Sequence, residues 1–285
     1  MLKIKDFLSW GADYLRQSGV KSYRLDAEVV LRHILNLDDV GLVLNYDLIP
    51  PPDKASLFQR LMSERAKGKP VAYITGHKEF MGLDFVVNEG VLIPRPETEL
   101  IVDMVLKELG SGGGKLVIDL GMGSGSIAVS IAKMGRHLVH AVDVSSEAIE
   151  VAKENALRNG VAEKVVFHHG DLFEPLRGLG IGKFDAIVSN PPYIPRGELD
   201  KLQVEIKEYE PPIALDGGVR GTDYHRRIID EAGEFLKKGG LLALEVGCGQ
   251  AKEVCGMIER SEVFSSPEVT KDYSGIERVA VARKE

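Results

Sequence analysis

Cysteine is scarce in this chain, which has only two cysteines, Cys248 and Cys255, among its 285 residues. Their spacing matches neither a C-x-x-C redox pair nor a zinc ligand set. A fold held together by disulfides is therefore excluded, and a reducing cytoplasm is the expected compartment. The sequence also shows no cluster of side chains with metal-ligand spacing, so no metal site is predicted.

Long apolar runs and an excess of positive charge are absent as well. No segment approaches the roughly 18 apolar residues of a membrane helix, and Asp6 interrupts the N-terminal stretch where a secretory signal would need an apolar core. Lysine and arginine number 36 against 43 aspartates and glutamates, which gives a net charge of −7. The composition therefore disfavours a membrane protein and a protein that acts mainly on bare nucleic acid.

What the chain does have is an ordinary globular composition, with 44% hydrophobic and 28% charged residues. Its length suggests two domains. Residues 1–70 are predicted to be helical, because apolar residues recur at helical spacing. Residues 71–98 read as a β-hairpin linker, in which strand-forming residues are broken by Gly82. Arg95, held between two prolines at the end of this linker, is a candidate site residue.

Residues 99–285 alternate between strand-forming and helical segments, which predicts an α/β fold with a mostly parallel sheet covered on both faces. Ligands bind such sheets at the carboxyl ends of the strands. The predicted strands are Lys115–Asp119, Leu138–Asp143, Lys164–His168, Phe184–Ser189, Leu241–Val246 and Arg278–Ala282, and the predicted helices are Ser126–Lys133, Ser146–Asn159, Asp223–Leu236 and Gln250–Arg260.

A glycine-rich loop follows the first predicted strand. Glycines let the backbone turn sharply and approach a ligand closely, which is typical of nucleotide-type sites. A dinucleotide fingerprint would place Gly or Ala at position 126, where this chain has Ser126. A purely structural strand-to-helix turn is the alternative. The candidate cofactor-binding residues of this loop are Gly121, Met122, Gly123, Ser124 and Gly125.

Two acidic residues follow the next two strands. Asp143 ends the second strand, where a carboxylate can accept both ribose hydroxyls of an adenosine; the alternative is a helix cap. Asp171 follows the third strand and can accept from an adenine amino group, with Leu172 against the ring; the alternative is a plain turn.

The fourth predicted strand runs into Asn190, Pro191, Pro192 and Tyr193, which are the candidate catalytic residues. Consecutive prolines stiffen the backbone and have no N–H donors. The only backbone polar groups that they offer are carbonyls, which accept hydrogen bonds. The Asn190 side-chain oxygen is a further acceptor, and Tyr193 offers a flat face for stacking. Two acceptors beside a planar wall suit an –NH2 group on a planar amide or base.

Together, the G-x-G-x-G loop, the acid after the second strand and the NPPY tetrapeptide resemble S-adenosylmethionine-dependent amino-methyltransferases. Such enzymes methylate DNA adenine or glutamine side chains. A more specific resemblance, to the release factor glutamine methyltransferase family (PrmC, also called HemK), covers nearly the whole chain. The segments that carry it are Pro70–Gly76, Phe80, Val91–Glu99, Ser189–Ile194 and Tyr209–Pro211.

The resemblance implies a Rossmann-like methyltransferase domain with a seven-stranded sheet (residues 99–285), a hairpin linker and a helical substrate-recognition domain (residues 1–70). It implies methyl transfer from S-adenosyl-L-methionine to the N5 amide of the glutamine in the Gly-Gly-Gln motif of peptide chain release factors. Gly121 to Gly125 and Asp143 would hold the donor. Asn190 would touch donor and substrate, and Pro191 to Tyr193 would help hold the glutamine amide.

Two positions depart from the family pattern. Met122 stands where threonine is common, and Leu172 stands where some members have an aromatic residue, so either Leu172 or Phe173 would pack on the adenine. The alternatives are a ribosomal-protein glutamine methyltransferase, a DNA adenine N6-methyltransferase, a nicotinamide-dependent oxidoreductase and a non-catalytic binding module. A cytoplasmic monomer is expected, with release factors as partners and neither membrane nor nucleic acid.

Overall fold

The computed structural model describes residues 2–285, which divide into two compact units. The first contains the described chain up to His77 together with the later segment Gln203–Tyr209. The second contains Lys78–Leu202 and Glu210–Glu285. The division thus lies beyond the boundary expected at residue 70, because the helix that follows Pro70 packs with the preceding helices.

The first unit is helical. Its core forms between the first, second and fourth helices, where Phe7, Leu15, Leu31 and Phe58 are buried. Gly11 permits this packing, because a Cβ atom there would lie 2.7 Å from Cζ of Phe58. The helices are α1 (Ile4–Gln17), α2 (Tyr23–Leu35), α3 (Asp39–Leu44), α4 (Pro52–Ala66), α5 (Val71–Thr75) and an unnumbered turn at Val204–Lys207.

A buried arginine joins the segment Gln203–Tyr209 to these helices. Nε of Arg65 donates to Oδ2 of Asp26 at 2.7 Å, and Nη2 donates to Oε1 of Glu205 at 2.7 Å. Asp26 also accepts from the Ser22 hydroxyl at 2.8 Å. Buried charges are tolerated when they are paired and hydrogen-bonded. Arg65 therefore fixes this late segment within the helical unit.

The second unit is built on a seven-stranded sheet in the order β5-β4-β3-β6-β7-β9-β8. Strands β3 to β7 are parallel, and β9 is antiparallel to both β7 and β8. A separate hairpin of β1 (His77–Phe80) and β2 (Leu83–Val86) precedes it in the chain. The sheet strands are β3 (Leu116–Leu120), β4 (Leu138–Asp143), β5 (Val165–His169), β6 (Phe184–Ser189), β7 (Leu236–Glu245), β8 (Glu268–Lys271) and β9 (Glu277–Arg283).

Helices cover both faces of this sheet, with one apolar core on each side. The α/β fold is as predicted, but β7 begins earlier than expected and β8 was not predicted. Helix α7 is shorter than predicted and continues as a π-helical turn, Ile131–Gly135. Within residues 2–285, no helix combines the length and apolarity needed to cross a bilayer. The helices are α6 (Glu99–Leu109), α7 (Ser126–Ser130), α8 (Ser146–Arg158), α9 (Asp223–Phe235) and α10 (Ala251–Arg260).

Candidate active site

A cavity opens at the carboxyl ends of β3, β4 and β6. The chain passes from β3 through β4 to β5 on one side and returns to β6 on the other, so the cavity lies at the switch point of the sheet, where ligands bind in such folds. The cavity is partly open to solvent. Its walls include Gly121–Ser124, Asp143–Ser145, Gly170–Leu172, Asn190–Pro192, Val91, Leu92, Arg95, Thr98, Pro211, Ile213 and Tyr224.

The glycine loop borders this cavity, and its backbone conformation is one that requires glycine. Gly121, Gly123 and Gly125 have φ angles of 70°, 54° and 78°, which side chains disfavour. At Gly125 a Cβ atom would also lie 2.9 Å from Cβ of Ala152. The Met122 side chain packs into the hydrophobic core, so its departure from the common threonine leaves the backbone path of the loop intact.

Asp143 is held beside this loop by backbone donors. Its Oδ2 accepts from the N–H of Gly123 at 2.9 Å, and its Oδ1 accepts from the N–H of Ser145 at 2.9 Å. Burial raises the pKa of the Asp143 carboxyl, although these hydrogen bonds oppose that shift. A carboxylate has about four lone-pair sites, so both oxygens keep capacity for ligand hydroxyls. Helix α8 is capped by Ser145 instead, whose hydroxyl accepts from the N–H of Ala148.

A second acid, Asp119 near the end of β3, was not singled out from the sequence. It is fully buried, and its Oδ2 accepts from the N–H of Ala128 in α7 at 3.0 Å. Its Oδ1 has no hydrogen-bond partner among the described residues. Burial, and then the charge of Asp143, raise the pKa of Asp119 to about 7. Only its position before the glycine loop could have signalled a role.

Asp119 and Asp143 determine whether the loop favours an anionic or a cationic ligand. A phosphate site needs free N–H groups at a helix N-terminus and no nearby negative charge. Here Asp119 occupies an N–H of α7, and Asp143 occupies that of Gly123. The electrostatics therefore favour a ligand with a cationic group over a dinucleotide pyrophosphate.

Asp171 and Leu172 line the cavity after β5, whereas Phe173 does not. Phe173 is fully buried and stacks on Phe235 with ring centroids 4.5 Å apart. Of the two apolar residues, Leu172 is therefore the one that can contact a ligand ring. Asp171 forms an ion pair with Arg227, whose Nη2 donates to Oδ2 at 2.5 Å.

The NPPY turn presents acceptors to the cavity. Nδ2 of Asn190 donates to Oγ1 of Thr98 at 3.1 Å. The hydrogen bonds found within residues 2–285 use neither Oδ1 of Asn190 nor the Pro191 carbonyl oxygen. Asn190, Pro191 and Pro192 all line the cavity. The turn therefore offers two acceptors that the protein itself leaves available.

Tyr193 lies differently from expectation, because it is not among the lining residues. Its backbone carbonyl accepts from Nε2 of Gln250 at 2.8 Å. Burial raises the pKa of Tyr193 to about 12. The role of the Tyr193 ring as a stacking wall therefore stays a prediction. Pro192 and Pro211 supply apolar surface to the cavity.

The end of the linker adds residues that the sequence analysis only partly identified. Arg95 lines the cavity and donates from Nη2 to Oε1 of the buried Glu210 at 2.5 Å. Thr98 also lines it and belongs to the segment Val91–Glu99 that carries the family resemblance, although no role was predicted for it. Ile213 and Tyr224 line it too and belong to no motif. Only the folded chain brings them to the site.

Two protein-family models match this chain. The PrmC N-terminal domain matches residues 6–76, and the methyltransferase small domain matches residues 96–207. The release factor glutamine methyltransferase of Geobacter sulfurreducens is 45% identical over 98% of this chain and 96% of that protein. This chain belongs to the release factor glutamine methyltransferase family. Another family member, from Clostridium acetobutylicum, is 40% identical over 99% of this chain and 98% of its own length.

Solved structures agree on the fold of a methyltransferase. A methyltransferase from Pyrococcus furiosus aligns with a TM-score of 0.53 and 22% identity, covering 79% of this chain and 97% of that one. A 16S rRNA methyltransferase from Thermus thermophilus, solved with AdoMet and guanosine, aligns with a TM-score of 0.54 and 21% identity over 73% of this chain and half of that one. The seven-stranded sheet implied by the family resemblance is therefore confirmed.

Proposed function

We propose that this chain transfers a methyl group from S-adenosyl-L-methionine to the N5 side-chain amide of the glutamine in the Gly-Gly-Gln motif of peptide chain release factors. The observation that carries the proposal is the pair of available acceptors, Oδ1 of Asn190 and the Pro191 carbonyl, on the wall of a cavity with acids beneath its glycine loop. The names of the relatives support the same reaction.

The residues of the cavity fit the donor. When bound, S-adenosyl-L-methionine supplies a methyl group carried on a positively charged sulfur. Asp143 would accept from its ribose hydroxyls, and Asp171 and Leu172 would contact its adenine. The backbone of Gly121 to Ser124, which lines the cavity, and of Gly125 next to it in the chain would border its amino-acid part, and Asp119 would add negative charge in its ionised form. The unpartnered oxygen of Asp119 is consistent with this preference for a cation.

The acceptors of the NPPY turn would activate the substrate by position. An amide nitrogen is a poor nucleophile, because its lone pair is delocalised into the carbonyl. Asn190 Oδ1 and the Pro191 carbonyl would accept its two N–H hydrogens, aim the nitrogen and favour its tetrahedral form in the transition state. Positioning of this kind can contribute about 7–11 kcal/mol. No strong base is required beforehand, since the nitrogen becomes acidic only as its bond to the methyl carbon replaces the sulfur–methyl bond, and its proton then passes to solvent.

Pro192 and Tyr193 complete the proposed catalytic set. Because neither proline has an N–H group, neither contributes a backbone donor that could bind the Pro191 carbonyl in place of the substrate. The proline rings also restrict the backbone and thus the direction of this carbonyl. Tyr193 would act through its backbone carbonyl, which accepts from Nε2 of Gln250 and so holds the end of the turn. Its contribution is therefore to the orientation of the turn, and direct contact with the glutamine falls to the residues that line the cavity.

The first test follows methyl transfer directly. The chain is incubated with labelled S-adenosyl-L-methionine and, separately, a release factor, a ribosomal protein and DNA, and the product is mapped by mass spectrometry. Label on the Gly-Gly-Gln glutamine supports the proposal. Label on a ribosomal-protein glutamine or on DNA adenine alone would refute it in favour of the corresponding alternative.

Asn190→Ala should lower kcat about 100-fold while changing donor affinity little, because it removes an acceptor for the reacting amide. Asn159→Ala is the matched control, since Asn159 lies at the end of α8 and outside the cavity. Calorimetric titration with the donor separates binding from turnover. Near-normal turnover of Asn190→Ala would show that the proposed mechanism is wrong.

The helical unit is proposed to bind the body of the release factor. Its helix α3 and the following loop expose apolar residues, including Val40, Val43, Leu44 and Leu48. Leu44→Glu should raise KM for intact release factor and leave a short Gly-Gly-Gln peptide unaffected. Leu157→Glu is the control, because Leu157 is similarly exposed on α8. Equal effects of Leu44→Glu on both substrates would contradict docking.

A cytoplasmic monomer is also proposed. Cys248 and Cys255 are both free thiols, which suits a reducing compartment. Light scattering at micromolar concentration should give a mass near 31.2 kDa, and a mass of twice that value would contradict the monomer.

A further inference from the structure

A chain of hydrogen bonds runs from Asn190 into the protein interior. Nδ2 of Asn190 donates to Oγ1 of Thr98 at 3.1 Å, and the Thr98 hydroxyl donates to Oε2 of Glu245 at 2.7 Å. Thr98 is 3% exposed and Glu245 is 1% exposed. The three residues come from the end of β6, the start of α6 and the end of β7. Packing of the sheet therefore places a buried carboxyl two hydrogen bonds from the Asn190 amide.

The direction of this chain is fixed by the charge of Glu245. An ionised carboxylate only accepts, so Thr98 must give its single hydroxyl hydrogen to Glu245. The Thr98 oxygen can then only accept from Asn190, which turns Nδ2 of the amide inward and leaves Oδ1 facing the cavity. A protonated Glu245 can donate instead, and Thr98 can then donate to Oδ1, which would present an N–H group to the substrate.

We propose that Glu245, acting through Thr98, sets the orientation of the Asn190 amide and is thus a positioning residue for methyl transfer. This inference rests on the proposed function, in which Oδ1 of Asn190 accepts from the substrate amide. It assigns to Thr98 and Glu245 a role in turnover, because both act on the Asn190 amide that would bind the substrate. The expected defect therefore lies in kcat, with donor affinity retained.

The surroundings of Glu245 give the relay a pH dependence. Burial raises the pKa of Glu245 to about 7, and the hydrogen bond from Thr98 and the charge of Arg278 oppose that shift. We therefore expect kcat to increase with pH through about 7 and to level off above it. The groups facing Glu245 are Thr98 and Glu97 before α6, Tyr193 after β6, Arg278 on β9 and the His225 ring on α9, which contacts the Glu245 backbone carbonyl.

Substitution of Thr98 separates the relay from simple packing. Thr98→Val keeps the shape but removes the hydroxyl, and it should lower kcat at least about tenfold with the donor Kd changed less than about twofold. Thr98→Ser restores the hydroxyl and should recover most of the lost kcat. Thr222→Val is the matched control, because the buried Thr222 also donates to a glutamate, Glu253, but outside the cavity.

Glu245→Gln tests the carboxylate itself, with Glu253→Gln as its control. The kcat of Glu245→Gln should be nearly constant between pH 6 and pH 8.5, because glutamine does not titrate. In the wild type, the contribution of Glu245 to folding stability should decrease as pH rises, whereas kcat should increase. A carboxyl whose pKa is higher in the folded chain contributes less to stability as pH rises from about 4.5 to about 7. A pH-dependent loss of structure therefore cannot mimic the expected rise in kcat.

A readout independent of turnover uses the protein labelled with ¹⁵N-asparagine. The side-chain NH2 resonances of Asn190 should shift with pH in the wild type with a midpoint near 7 and should not do so in Glu245→Gln. Unchanged kcat in Thr98→Val, an acid limb that persists in Glu245→Gln, or resonances that do not titrate would each overturn the relay. Absence of wild-type glutamine methylation would instead refute the proposed function, while the resonances still decide the relay.

Discussion

One buried asparagine on α8 holds the glycine loop to the hairpin. Replacing it should lower both the free energy of unfolding and the affinity for the donor. Asn155 is fully buried. Its Oδ1 accepts from the N–H of Val86 at 2.7 Å, and its Nδ2 donates to the carbonyls of Val86 and Ser124, both at 2.9 Å. A single side chain thus satisfies three backbone groups, two on the edge of β2 and one in the loop that borders the proposed donor site.

Asn155→Ala removes the partner of all three groups at once. A buried backbone group left without a partner costs about 1–3 kcal/mol. Val86 is only partly buried, so water can reach some of its polar atoms. We therefore expect a loss of about 3 kcal/mol in the free energy of unfolding, a large share of the about 5–15 kcal/mol typical of a folded protein. The loosened loop should also weaken donor binding.

Urea unfolding and calorimetric titration with S-adenosyl-L-methionine measure these two effects. Asn159→Ala is the control on the same helix, because Nδ2 of Asn159 donates to the Asp84 carbonyl at 3.2 Å near the surface, where water can replace it. That variant should lose less than about 1 kcal/mol. The reasoning would be refuted if Asn155→Ala were as stable as Asn159→Ala and bound the donor with wild-type affinity.

Three further changes test other parts of the fold. Arg65→Met leaves the buried carboxylate of Asp26 without its partner and should destabilise the chain by about 3–5 kcal/mol in urea unfolding. Gly125→Ala combines a disfavoured φ of 78° with a 2.9 Å contact to Ala152, and it should cost about 2 kcal/mol and weaken donor binding in calorimetry. Burial and a neighbouring histidine lower the pKa of His140 to about 4, so the unfolded chain binds a proton more readily. Stability should therefore fall as pH decreases from about 6.5 to about 4, and His140→Phe should flatten that dependence in thermal unfolding.

The residues that sequence analysis identified are those whose chemistry is local. The glycine loop, Asp143 and the NPPY turn each follow a strand directly, so the strand pattern alone indicates which edge of the sheet they occupy. The same reasoning brought Leu172 to the cavity, because it lies two residues after a glycine that follows β5. Short-range order and the geometry of parallel strands were sufficient for these positions.

The residues that it missed depend on contacts between distant segments. Thr98 and Glu245 are 147 residues apart, and neither belongs to a pattern that indicates a shared hydrogen bond. Strand β8 was missed because none of its residues is buried, so it shows no apolar alternation.

The two buried polar side chains that fix the site act on different parts of it. Asn155 holds the loop that borders the proposed donor, whereas Glu245 is linked through Thr98 to Asn190 in the turn that would bind the acceptor amide. They reach the cavity from α8 and β7, through hydrogen bonds that share no residue. Distant sites without shared partners usually contribute independently. Mutations at the two positions should therefore affect donor binding and methyl transfer separately. If a single hydrogen-bond network held both parts of the site, one mutation would affect both.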